Sequence, residues 1–205
     1  PPPPDREKFN IPKGKIVFLI TFDFYSIMER KNPIAAIQAF SKLIENNKYR
    51  DKAHLVIKVS NQHADPDGLN ILLQSCKKID INKITIIEKV LQANDMLQLM
   101  NSCDSLISLH RSEGFGLPVA ESIAMGKEVI ATNWSGNVDF MDNFNSFPID
   151  YKLTKIEKDF GPYRIGNVWA NPNVEHAVEK MKYIINKGKP INYVVSQQCT
   201  KRIFN

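Results

Sequence analysis

Two glutamates bracket the segment of this chain with the clearest chemical character, His110-Arg111-Ser112-Glu113-Gly114-Phe115-Gly116-Leu117-Pro118-Val119-Ala120-Glu121. The apolar run Ser105 to Leu109 before it has the length of a buried strand. Leu117-Pro118 followed by Val119, Ala120, Ile123 and Ala124 reads as a helix with proline in its first turn. Glu113 therefore falls in a strand-to-helix turn and Glu121 early in the helix. The amides of Gly114, Phe115, Gly116 and Leu117 lie at the positive end of the helix dipole. Helix-start amides bind phosphate, glycines let a backbone approach closely, and an ionised carboxylate accepts two hydrogen bonds from a vicinal diol. A sugar joined to a nucleotide through a diphosphate calls for all three.

A second group of charged residues has matching chemistry. Arg30-Lys31 stands just before a helix that starts at Asn32-Pro33. Two cations beside a helix N-terminus neutralise a diphosphate, arginine through a bidentate contact and lysine as a point charge. The turn after the first strand, Thr21 to Ser26, contains no glycine. That excludes the G-x-G-x-x-G of dehydrogenases and the glycine-rich P-loop at this point. The G-x-S-x-G elbow of a serine hydrolase is missing too. His54, His63 and His176 have no ligand-like spacing, so no metal site is expected. His110, next to the glutamate segment, is of the residue type that serves as a general base near neutral pH.

The elements that must position these residues alternate regularly. Strands are expected at 16–20, 54–59, 84–87, 105–109 and 128–132, with a sixth at 147–149. The helical spacings fall at 33–44, 68–78, 94–101, 118–125 and 174–186. Strands rich in Val, Ile and Leu separated by helices indicate an α/β fold, a doubly wound, mostly parallel Rossmann-like sheet of about six strands. Such sheets bind ligands beyond the carboxyl ends of their strands, which selects the turns after Phe22, Ile87, Leu109 and Thr132. Residues 151–167 show no clear period and read as a long loop. Residues 1–15 read as an extended linker into the domain, 16–195 as the domain itself, and 196–205 as the start of a truncated helix.

At 205 residues and 43% hydrophobic, the chain suffices for one substantial core. Its net charge of +5, from 27 basic and 22 acidic residues, is spread without an arginine-rich block, so nucleic acid is not an expected partner. A basic surface suits diphosphate substrates and anionic headgroups, which makes peripheral association with the inner face of the cell membrane an expectation. Cys76, Cys103 and Cys199 form no CxxC pair, and no segment approaches the roughly 20 apolar residues of a membrane span. The expected location is the cytoplasm.

Glu113, set in Ser-Glu-Gly-Phe-Gly-Leu-Pro, and Glu121 after it resemble the signature of the retaining glycosyltransferases of family 4, enzymes with the two-domain GT-B fold. The resemblance continues through Met125 to Thr132, Ser135-Gly136-Asn137, Glu29 to Pro33 with Ala39-Phe40, and Trp169-Ala170-Asn171-Pro172. It implies the C-terminal, donor-binding half of such an enzyme. The donor would be a UDP-, GDP- or ADP-sugar, with no further cofactor, and the acceptor, a glycan or lipid-linked molecule, would be held by an absent N-terminal half. It also implies roles, and it favours His110 as a structural or sugar-contacting residue over a proton carrier. Lys31, with Arg30, holds the diphosphate. An arginine that many members carry earlier in this loop has no counterpart among Asp23 to Ser26. Glu121 takes the ribose, and Glu113 with the amides of Phe115, Gly116 and Leu117 takes the transferred sugar and diphosphate. The base rests near Val90 and Leu91, residues that core packing explains equally well. Ser135-Gly136-Asn137 either closes the far wall of the cleft or forms a turn with an N-cap. The competing readings are a non-catalytic nucleotide or sugar-phosphate module and a sugar-nucleotide epimerase relative.

Overall fold

The computed structural model describes residues 1–188; the expected helix start at 196–205 lies outside the described residues. In chain order the elements are β1 (Ile16–Asp23), α1 (Met28–Lys31), α2 (Pro33–Glu45), α3 (Asn47–Arg50), β2 (Ala53–Ser60), α4 (Pro66–Cys76), β3 (Ile84–Glu88) and α5 (Ala93–Ser102). β4 (Ser105–Ser108), α6 (Leu117–Ala124), β5 (Glu128–Thr132), β6 (Phe147–Ile149), β7 (Tyr151–Lys155), β8 (Val168–Pro172) and α7 (Val174–Lys187) follow. The first six strands form one sheet in the order β3-β2-β1-β4-β5-β6, parallel throughout. The chain winds outward from β1 in one direction and from β4 in the other. Their junction is therefore the point where the strand order reverses, and a crevice opens there at the carboxyl edge.

Alternation along β1 divides its side chains between two cores. Phe18, Ile20 and Phe22 join Leu55, Ile57 and Val59 of β2 beneath α2, α4 and α7. Val17 and Leu19 join Val56 beneath α5 and α6, where Leu99, Met100, Val119, Ala120 and Ile123 complete the layer. Burial of both faces is why the strands read as continuous apolar runs with no in-out alternation. The N-terminal segment is tied to the second layer. Phe9 and Ile11 are each 4% exposed within it. Arg6 donates to Ser102 O (3.0 Å), Pro12 O (3.2 Å) and Lys15 O (3.0 Å) and pairs with Asp104 (2.7 Å).

The stretch read as a long loop departs from expectation. Its first residues form β7, which pairs antiparallel with β8 as a separate ribbon outside the main sheet. Four of the five β7 residues are exposed, so no buried face exists to impose an apolar period on this segment. The ribbon is held by aromatic contacts, Phe160 stacked on Trp169 at 5.4 Å and Trp134 against Tyr151 at 5.2 Å. It also bonds to the β4 turn, Ala170 N donating to Arg111 O at 3.0 Å.

Candidate functional site

Three loops meet over the crevice between β1 and β4. The loop after β1 carries α1, whose last residues are Arg30 and Lys31. It turns into α2 through Asn32, a left-handed residue (φ 50°, ψ 49°) that serves both helices. Asparagine tolerates this conformation, and its amide Nδ2 donates to Leu109 O at 2.9 Å, pinning the turn to the end of β4. Arg111 N donates to Arg30 O (2.7 Å) and Arg111 Nη1 to Glu29 O (3.0 Å), so the two loops are stitched together twice more.

Glu113 stands where they join. Its carboxylate pairs with Lys31 Nζ through Oε2 and with Arg30 Nη1 through Oε1 at 3.4 Å, and Oε1 also accepts from the Gly114 amide at 3.1 Å. Burial works to raise this carboxyl, but the hydrogen bond and charge of Lys31 and the charge of Arg30 outweigh it and hold Glu113 below the ordinary carboxylate range. Two cations around one carboxylate leave an excess positive charge. Gly116, in the left-handed conformation at φ 86°, leads into α6, and no side chain caps that end. Helix α6 begins at Leu117, as the position of Pro118 predicts. Its first amides thus have no acceptor among the described residues and stand beside Lys31, Glu113 and Gly116 in the same crevice.

Glu121 lies one turn further along α6. Its side chain has no hydrogen bond or ion pair among the described residues, and burial pushes its pKa up. A half-buried carboxylate that receives no donor from the described residues is set to take hydroxyl donors from outside.

The third wall comes from the loop after β5. Gly136 N donates to Glu113 O at 3.3 Å, and a Cβ built on Gly136 would stand 1.5 Å from Gly114 O. Only glycine permits this approach. The residue before it, Ser135, adopts φ 76°, ψ −158°, a region that costs a non-glycine residue energy and that persists only where neighbours impose it. The imposing network runs through His110, which is fully buried. Nε2 faces Trp134 O (3.1 Å) and Asn137 Oδ1 (3.0 Å), while Nδ1 faces the Ser108 hydroxyl (3.0 Å). Asn137 Nδ2 donates to Thr132 O (2.9 Å), leaving Oδ1 as an acceptor, so Nε2 carries the hydrogen and Nδ1 accepts. Burial lowers the His110 pKa and keeps the ring neutral. His110 is a brace between the β4 and β5 loops, not a proton carrier.

Glu113, Lys31, Arg30, Gly114, Gly116, Leu117, Ser135 and Gly136 therefore come together. Phe115 flanks them, its ring 5.1 Å from that of Phe140. Val90 and Leu91 do not touch this group. They follow β3, with β2 and β1 intervening, on the same edge; Val90 is 67% exposed and Leu91 packs on the second core. The sequence reading left out Asn32, Arg111 and Asn137 as positioning residues. Asn137 was visible as part of Ser-Gly-Asn, whereas Arg111 gave no signal, because its work is done through main-chain carbonyls and the Trp169 face at 5.2 Å.

The fold and site define a Rossmann-like α/β domain with a crevice at its switch point lined by Lys31, Glu113, Gly116 and the start of α6. The chain belongs to the glycosyl transferases group 1 family, whose model matches residues 3–197. Solved structures with the same fold include a glycosyltransferase from Rickettsia africae ESF-5 (TM-score 0.71, 21% identity, 98% of this chain and 45% of that one). WaaG, a glycosyltransferase involved in lipopolysaccharide biosynthesis, is similar (TM-score 0.62, 16% identity, 97% and 44%). So is Anabaena HepE in complex with UDP and glucose (TM-score 0.65, 16% identity, 92% and 44%). The chain thus spans under half the length of these structures, and its fold is one half of the GT-B architecture. A comparison with curated protein sequences gives no significant match. Among the described residues no helix is long and apolar enough to cross a membrane, and no group of three or more His, Cys, Asp or Glu is placed to hold a metal ion.

Proposed function

We propose that this chain is the donor-binding half of a retaining glycosyltransferase of family 4, which takes a nucleotide-diphosphate sugar and transfers a hexose to a glycan or lipid-linked acceptor. The observation that carries this reading is the pairing of an occupied and an unoccupied carboxylate. Glu113 is held by Lys31 and Arg30 beside the start of α6, while the Glu121 side chain in the same helix has no partner among the described residues. An arriving diphosphate meets excess positive charge and free amides. Ribose hydroxyls donate to Glu121, and hydroxyls of the sugar donate to the lone pairs of Glu113 that its cations leave free.

Transfer breaks the bond between the anomeric carbon and the diphosphate oxygen, and the electron pair leaves with the diphosphate. Arg30, Lys31 and the α6 amides stabilise that developing charge, the type of contribution worth several kcal/mol per lost contact. Glu113 is committed to two cations and an amide, which disfavours it as a nucleophile. Retention is then best served by front-face attack, with the acceptor hydroxyl bonding to carbon as its proton passes to a departing phosphate oxygen. The acceptor is presented by the other half of the parent protein, and the enzyme works in the cytoplasm, at the inner face of the membrane where the acceptor is lipid-linked. HepE, solved with UDP and glucose, supports the ligand class.

The test is thermal unfolding with UDP-, GDP- and ADP-sugars. The matching donor at about 100 times its dissociation constant stabilises by about 2.7 kcal/mol. If no nucleotide sugar shifts the transition at millimolar concentration, the reading is wrong. Stabilisation without transfer by the full-length parent leaves the non-catalytic module in its place.

A further inference from the structure

A polar patch interrupts the second core at the carboxyl ends of β1 and β2. Val17, Leu19 and Val56 face the α5 and α6 layer, and period-two alternation puts Thr21 and Asp23 of β1 and Lys58 and Ser60 of β2 on that same face. The register pairs Thr21 with Lys58 and Asp23 with Ser60, so these four side chains form two adjacent rungs. Lys58 is 9% exposed, an unusual position for a lysine. Its ammonium reaches along the strand toward the carboxyl edge, donating to Ser60 Oγ at 3.0 Å. The Ser60 hydroxyl in turn donates to Asp23 Oδ2 at 3.2 Å. Asp23 is fixed by the Tyr25 amide (2.9 Å) and by Asn61 Nδ2 (2.9 and 3.0 Å). Burial tends to raise the Asp23 carboxyl, and these hydrogen bonds with the charge of Lys58 outweigh it, so the anion persists.

This relay orients a cation more fully than it satisfies one. One of the three ammonium hydrogens has a partner among the described residues, and burial of the remainder is costly. Its location explains the cost. Glu121 on α6 and Leu91 after β3 belong to the same face, and β1 and β2 lie between their strands, an interval of about 14 Å at ordinary strand spacing. A nucleotide that reaches from the crevice toward β3 passes over the Thr21–Lys58 rung. We propose that Lys58 is an additional donor-site residue whose ammonium, aimed by Ser60 and Asp23, contacts the phosphate nearest the nucleoside. The role rests on the donor-binding reading above. It supplies a cation on the nucleoside side of the diphosphate, where the β1 loop from Asp23 to Ser26 has none.

The test uses this chain with the nucleoside, the nucleoside monophosphate and the nucleoside diphosphate of whichever base binds, by calorimetry. Lys58→Met keeps the length of the side chain and removes its charge. It is expected to leave the thermal transition unchanged or raised, to weaken both phosphorylated ligands about tenfold or more, and to leave the bare nucleoside unaffected. Lys58→Gln provides the same comparison should the methionine variant not fold, and Asp23→Asn should give a smaller loss in the same direction. Equal affinity of Lys58→Met and wild type for the diphosphate, or an equal loss for all three ligands, overturns the assignment. Wild-type binding that Glu121→Ala weakens and Lys58→Met does not would refute this inference alone, whereas wild type that binds no nucleotide at all would refute the donor-binding reading.

Discussion

The two glutamates differ in their environments, and their substitutions should differ accordingly. Glu121 has lone pairs that the described residues leave unused, so under the proposed ribose role Glu121→Ala should weaken nucleoside diphosphate by about 1.5 to 3 kcal/mol, the worth of hydrogen bonds to a charged group, with little effect on folding. Glu113→Ala should act differently. It releases Lys31 and Arg30 from their counter-ion, so affinity for the bare diphosphate should hold or rise while preference for the nucleotide sugar over the diphosphate collapses. Calorimetry with both ligands separates these outcomes, and two variants with the same profile would remove the assignments. The pH dependence has a definite sign. In the proposed role ribose hydroxyls donate more strongly to an ionised Glu121 than to a neutral one, and burial raises its pKa, so nucleotide affinity should fall on acidification at a higher pH than an ordinary carboxylate would produce. That limb should vanish in Glu121→Gln.

Loops line the crevice between β1 and β4, and the tightest joint between them is Gly136 against Gly114 O. A methyl group at Gly136 cannot be relieved by a rotamer change, because the atom it meets is a backbone carbonyl. Gly136→Ala should therefore separate the β4 and β5 loops, destabilise by on the order of 3 kcal/mol and abolish donor-induced stabilisation, measured by denaturant titration with and without ligand. Undiminished donor binding by that variant would show that the third wall is not needed. The elements behind these loops were readable in the sequence because a doubly covered sheet needs strands apolar on both faces and helices with one apolar stripe. Glu113, Lys31, Gly116 and Ser135 were readable because residue type and strand end coincide. Lys58 was not, since it sits within His54-Leu-Val-Ile-Lys-Val, a run that reads only as a strand. Nor was the β7–β8 ribbon, whose order comes from Trp169, Phe160 and Tyr163 packing across its loop and not from a buried face.

For the molecule as a whole, buried histidines set the response to acid. His54 is 3% exposed on β2, its Nε2 facing Thr85 Oγ1 at 2.9 Å. Burial first, then the charge of Lys15, lowers its pKa to about 4 from the usual 6.5. The unfolded chain protonates this ring below about pH 6.5 and the folded chain does not until about pH 4, so the unfolded state binds more protons throughout that window. Stability is then complete above pH 6.5 and declines as pH falls, by roughly 3 kcal/mol in all from this one ring. His110, also lowered by burial, adds to the decline in the same sense. Glu113 adds to it at lower pH still, because a carboxyl held low loses its contribution only as pH falls through its depressed pKa. His54→Gln keeps a polar group for Thr85 and removes the titration. Urea unfolding at pH 7, 5.5 and 4 should show a markedly flatter profile in the variant than in wild type. Parallel profiles would mean that His54 takes up its proton in the folded state at the ordinary pH, and that the sheet between β2 and β3 opens far enough to hydrate it.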